Sequence, residues 1–179
     1  MITGFQFKAA LALIKFTSQE VAGLIGLHPS TLLRFKFVSN LEPLHCRSKN
    51  MHSLQTFFNK EGITFPALNS IQFTPNPPLK SPPNGITRFH LVAARIAIGL
   101  NQSELSQQLR ISAATLSLLE NLNNTDLIKS RKINNNTLET FFNHLGIIFN
   151  NNFVVTLEKD PEALIKKVGM LVDTKIKNI

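Results

Sequence analysis

The 179 residues are 43% apolar and 17% charged, the balance of a packed globular chain and not of a disordered one. The formal charge of +8 favours a polyanionic partner; residues 1–80 hold 8 Lys/Arg against 3 acids and residues 81–179 hold 11 against 8. A single cysteine, Cys46, excludes an internal disulfide and a multi-cysteine zinc site, and no stretch approaches the ~20 apolar residues of a membrane span.

At the N-terminus, Phe5, Ala9, Leu13 and Phe16 recur at helical spacing and predict a helix over 3–15. Lys8 and Lys15 interrupt that apolar run, which argues against a signal peptide, so the expected compartment is the reducing cytoplasm. Thr17-x-x-Glu20 has the form of a capping box and opens a second helix over 18–25. Gly26 suits the left-handed residue that ends it. His28 and Pro29 open a third helix reaching Phe37, with proline at the first helical position where its missing N–H costs little. A polar loop over 38–50 leads to a fourth helix over 51–61, ended by Gly62. Two β-like runs, 63–65 and 71–73, then suggest a hairpin. The segment TPNPPLKSPPN at 74–84 has five prolines and reads as a semi-rigid spacer.

Beyond the spacer the chain starts again. ITGFQFKAALALI from Ile2 returns as ITRFHLVAARIAI from Ile86, and LQTFFNKEGITF from Leu54 returns as LETFFNHLGIIF from Leu138, so both segments recur 84 positions later. That period suits a small domain and not a solenoid unit. Helices are accordingly expected over 87–99, 102–109, 113–121 and 137–145, with capping signals at Asn101-x-x-Glu104 and Ser112-x-x-Thr115 and a hairpin from 147–149 and 153–157. Asp160-Pro161 opens a last amphipathic helix to Lys177, whose Leu164, Val168, Leu171 and Val172 share a face. The expected domains are 1–73, the linker 74–84, 85–158 and a C-terminal helix in 159–179.

Within each copy, TSQEVAGLIGLHPSTLLRFK at 17–36 and NQSELSQQLRISAATLSLLE at 101–120 share a physical pattern. Val21 and Leu105 point to a core, and Ala22 and Ser106 are small where two helices approach. Ile25 with Leu27, and Leu109 with Ile111, straddle the turn. Leu32 with Phe35, and Leu116 with Leu119, anchor the last helix. The pattern resembles the helix-turn-helix of the lambda-repressor-like (Xre/Cro/CI) family, in two tandem copies. The fold class this implies is mainly α: tandem lambda-repressor-like bundles, each followed by a short β-hairpin, plus the C-terminal helix.

The resemblance implies that the third helix of each copy enters the major groove while the second spans the backbone. Transferred to this chain, the readers are Pro29, Ser30, Leu33 and Arg34 in copy one, and Ala113, Ala114, Ser117 and Leu118 in copy two. Thr31 and Thr115 contact phosphate or cap the helix, and Lys36 adds a cation. At the start of the second helix the family usually has a phosphate-bonding glutamine; Gln102, beside Ser103, keeps it, whereas copy one has Ser18 with Gln19 displaced by one. Arg110 replaces the turn glycine at a cost of about 1 kcal/mol. Arg34 can pair bidentately with guanine, whereas alanines offer only methyl contacts, so copy one is the expected stronger reader.

The expected function is therefore a sequence-specific double-stranded DNA-binding regulator, a repressor, dimeric through its hairpins or C-terminal helix. Neither a nucleophile–base set, paired acids nor a glycine-rich phosphate loop supports catalysis; no cofactor or metal is expected, and the five histidines lack ligand spacing. The alternative is a protein-interaction or antitoxin-like module on a degenerate helix-turn-helix fold.

Overall fold

The computed structural model describes residues 1–130, 134–150 and 153–158. Copy one comprises α1 (Gly4–Ile14), α2 (Ser18–Ile25), α3 (Pro29–Phe35), α4 (Ser48–Lys60), β1 (Ile63–Thr64) and β2 (Ser70–Phe73). Copy two follows the same order: α5 (Arg88–Ala97), α6 (Gln102–Gln108), α7 (Ala113–Glu120), α8 (Asn135–His144), β3 (Ile147–Asn150) and β4 (Val154–Leu157). The expected C-terminal helix lies outside the described residues.

The helix starts follow from local chemistry. Thr17 Oγ1 accepts from the Glu20 N–H at 3.2 Å while the Glu20 carboxylate accepts from the Thr17 N–H at 2.7 Å; Asn101 and Glu104 repeat the exchange. Gly26 closes α2 with φ 69°, and Arg110 takes the same left-handed conformation at φ 54°. Two reciprocal starts went unpredicted: Thr3 N–H donates to Gln6 Oε1 at 2.9 Å, and Thr87 N–H to His90 Nδ1 at 3.2 Å. α4 begins at Ser48 and α8 at Asn135, a few residues before their periodic apolar positions.

The copies are related by an approximate twofold axis, which can be located from hydrogen bonds. The Phe5 N–H, at the start of α1, donates to the Asn40 carbonyl, and the Asn40 side chain donates to the Ile96 and Ala97 carbonyls at the end of α5. Asn124 likewise accepts from the Phe89 N–H and donates to the Leu13 carbonyl. α1 and α5 therefore run antiparallel, and counting inward from these ends sets Ala9 opposite Ala93, its own counterpart. Ala9, Ala10, Ala93 and Ala94 are all fully buried, as small residues at a helix crossing permit.

The axis emerges again in the sheet. Its order is β1-β2-β4-β3, all antiparallel, and Ile71 of β2 faces Val155 of β4, again a residue and its counterpart. Phe73 N–H donates to the Phe153 carbonyl and Leu157 N–H to the Asn69 carbonyl, a symmetric pair of bonds. This corrects the mainly α expectation: the architecture is eight helices with one four-stranded antiparallel sheet among the described residues. The physical reason is that an isolated two-stranded hairpin is marginal in water, and joining inner edges satisfies backbone groups on both.

Both copies feed one hydrophobic core, with Phe5, Phe7 and Phe58 from the first and Phe89 and Phe142 from the second. Phe73 stacks on Phe89 across the copies at 5.9 Å between centroids. The linker 74–84 thus joins two units that share an interior.

Candidate nucleic-acid interface

In copy one, α2 and α3 are joined by Gly26–His28 and packed through Val21, Ala22, Leu32 and Phe35, all buried. In copy two, α6 and α7 are held likewise by Leu105, Ser106, Leu116 and Leu119. The apolar residues expected beneath each helix pair are thus where their spacing puts them. Ile111 is buried, and Ile25, Leu27 and Leu109 pack part-buried around the turns.

The outward residues of copy one are Gln19, Pro29, Ser30, Leu33, Arg34 and Lys36, all exposed, with Thr31 half-buried. Ser30 is tied to His28, whose Nδ1 lies 2.7 Å from its hydroxyl. Ser18 is buried and its hydroxyl oxygen has no hydrogen-bond partner, so its side chain is turned away from the surface. In copy two, Gln102, Ser103, Ala113 and Ala114 are exposed, Ser117 is half-buried, and Leu118 stands 70% exposed. Thr115 is engaged in capping: its N–H donates to Ser112 Oγ at 3.0 Å, and the two hydroxyls lie 2.8 Å apart.

Copy two also holds a buried polar network absent from copy one. Arg95 grips Glu120 bidentately, at 2.5 Å from Nε and 2.7 Å from Nη2, and Gln102 Nε2 donates to the same carboxylate at 2.9 Å. The start of α6, the end of α7 and the last turn of α5 are thereby fixed to one another. One N–H of the Gln102 amide is committed to Glu120, leaving its second N–H as the remaining donor of an exposed side chain.

Arg88 extends the network across the axis. Its guanidinium donates to the Glu120 carbonyl at 2.6 Å, to the Leu13 carbonyl at 3.0 Å, to the Ala12 carbonyl at 2.9 Å and to Asn124 Oδ1. Burial pulls its pKa below the ordinary arginine value, and the Glu120 charge opposes that shift. The counterpart of Arg88 is Gly4, where a Cβ would collide with the Val38 and Ser39 carbonyls. Copy one thus brings backbone together where copy two inserts a side chain.

Sequence reasoning missed this network. Its signal was the repeat itself: Leu11, Lys36, Ser18 and Gly4 stand where copy two has Arg95, Glu120, Gln102 and Arg88. Charges that appear together in one copy mark groups that meet in space.

Among the described residues, no group of three or more His, Cys, Asp or Glu could hold a metal ion, and no helix is long and apolar enough to cross a membrane. The chain matches no protein-family model, no curated protein and no solved structure among those compared.

Proposed function

We propose that the chain is a sequence-specific double-stranded DNA-binding regulator, a repressor in which one polypeptide carries two helix-turn-helix reading heads. The observation that carries this reading is the twofold relation between α2–α3 and α6–α7. Related by one axis, the two pairs present equivalent surfaces, as the halves of a dimeric repressor do towards an inverted repeat. The net charge of +8 supplies the phosphate-neutralising component. The chain holds both heads itself, so twofold reading does not require self-association.

The residue roles are unequal. Arg34 offers a guanine-reading guanidinium with Ser30 beside it, whereas Ala113, Ala114 and Leu118 offer methyl contacts to thymine. Gln19 and Lys36 in copy one, and Ser103 with the remaining amide N–H of Gln102 in copy two, serve the phosphate backbone. Selection from random duplexes tests the reading directly. An imperfect inverted repeat should emerge, with affinity falling steeply as salt rises. Binding indifferent to sequence, or none at low salt, would reject it.

A further inference from the structure

Four of the large apolar side chains that copy one exposes around α2 and α3 are polar in copy two. Leu24, Leu33, Phe37 and Leu41 are 63%, 51%, 82% and 43% exposed. Their counterparts, 84 positions on, are Gln108, Ser117, Asn121 and Thr125. Both copies fold alike, so the fold does not demand apolar residues there. Exposed large apolar groups that cluster on a surface mark interaction sites.

The centre is Leu33 and Phe37, four residues apart at the end of α3; the Phe37 N–H still donates to the Arg34 carbonyl, so the helical rise carries through to Phe37. Arg34 and Lys36 are interleaved with them, and neither makes an ion pair among the described residues. No acid lies between Pro29 and Ser39. The strip is therefore apolar and cationic at once.

We propose that this strip is a docking surface for an acidic amphipathic helix of a partner protein, whose apolar residues cover Leu33 and Phe37 and whose carboxylates meet Arg34 and Lys36. Charge decides against the chain's own material. An isologous contact with a second copy would set Arg34 and Lys36 against themselves, and the segment 159–179 carries five lysines against three acids. Helix recognition through anchors spaced at i and i+4 suits a surface of this shape. The inference stands on exposure and charge and holds whether or not α3 reads DNA. If it does, an occupant covering Arg34 excludes DNA from copy one.

The test uses a helical peptide of about 16 residues with leucines at i, i+4 spacing and glutamates elsewhere, a lysine version of it, and a scrambled one. The full chain should bind the acidic peptide about tenfold or more tighter than either control, as measured by fluorescence anisotropy. Leu33→Ser with Phe37→Asn, which installs the residues of copy two at exposed positions, should abolish that preference while leaving the thermal transition in place. Arg34→Glu with Lys36→Glu should reverse the preference towards the lysine peptide. Equal affinity for all three peptides, or no effect of either double variant, overturns the proposal. So does a concentration-dependent mass in light scattering that Leu33→Ser/Phe37→Asn removes, which would assign the strip to self-association. Loss of duplex binding in that variant without any effect on the acidic peptide would assign it to DNA.

Discussion

Asn40 and Asn124 occupy the same place in the two copies, and each uses its backbone carbonyl to start its own first helix and its side chain to cap the end of the other's. Helix ends leave carbonyls without intrahelical partners, and a buried end needs them satisfied from elsewhere. Here the satisfaction comes from the opposite copy, so capping and association are one interaction.

Replacing Asn40 by alanine leaves the Ala97 carbonyl without its donor in a buried junction and the Ile96 carbonyl with the Gly99 N–H alone. Stability in urea denaturation should fall by about 1–2 kcal/mol. Asn124→Ala should cost at least as much, because Arg88 also loses an acceptor. An unchanged midpoint for Asn40→Ala would show that water replaces the side chain.

Glu120→Ala strands the Arg95 guanidinium, whose side chain is only 13% exposed. A loss of about 3 kcal/mol is expected, since breaking one half of a mostly buried pair leaves the other charge uncompensated. Adding Arg95→Leu to Glu120→Lys installs the residues of copy one and should cost less than Glu120→Ala alone. Urea denaturation of these chains and of the single variants Arg95→Leu and Glu120→Lys closes the cycle, and strict additivity would deny the coupling.

His90 gives the fold a pH dependence. Nδ1 accepts from the Thr87 N–H, so the ring donates through Nε2 to the Asn150 carbonyl, and the ring stacks on Phe153. Burial lowers its pKa from 6.5 to about 4, with the bond to Asn150 opposing. Because the folded value lies below the unfolded one, the unfolded chain takes up the proton first. Stability attributable to His90 is complete above pH 6.5 and is lost as pH falls towards 4, by an amount of order 3 kcal/mol. His90→Gln, the residue at the equivalent position, should flatten the thermal midpoint between pH 6.5 and 4. A slope identical to the parent's would place the titration elsewhere.

Arg110 holds the left-handed conformation that glycine holds in copy one. Arg110→Gly should raise stability by about 1 kcal/mol by removing the steric cost. A fall in the denaturation midpoint would show that the arginine side chain contributes more than its backbone costs.

The helices were legible because their signals are local. Apolar spacing, the Thr17–Glu20 and Asn101–Glu104 exchanges, Pro29 and Gly26 each act within a few residues, and α2 emerges with the bounds read for it. The burial of Val21, Leu32, Leu105 and Leu116 was legible for the same reason. That the hairpins join across copies or chains was legible too, because a lone two-stranded hairpin is marginal in water; the choice of β2 with β4 and its register was not, because only the edge left over decides a strand's neighbour. Within the candidate interface, exposure at Ser30, Arg34, Ala113 and Ala114 follows from helical spacing, but the commitment of Gln102 to Glu120 depends on a partner 18 positions away. Buried Ser18 had the same signature as an outward serine.

The meeting of Ile71 with Val155 has a thermodynamic consequence. Two surfaces that would otherwise find each other by collision are tethered by the segment 74–84, so mass action no longer governs their union. The thermal midpoint of the intact chain should therefore be independent of dilution. A chain cleaved within the tether should melt lower as it is diluted, its halves parting as separate molecules. The tether also lets each half diverge without having to remain compatible with an identical mate, which is how Arg88 can stand in one half at the position where the other has room only for glycine.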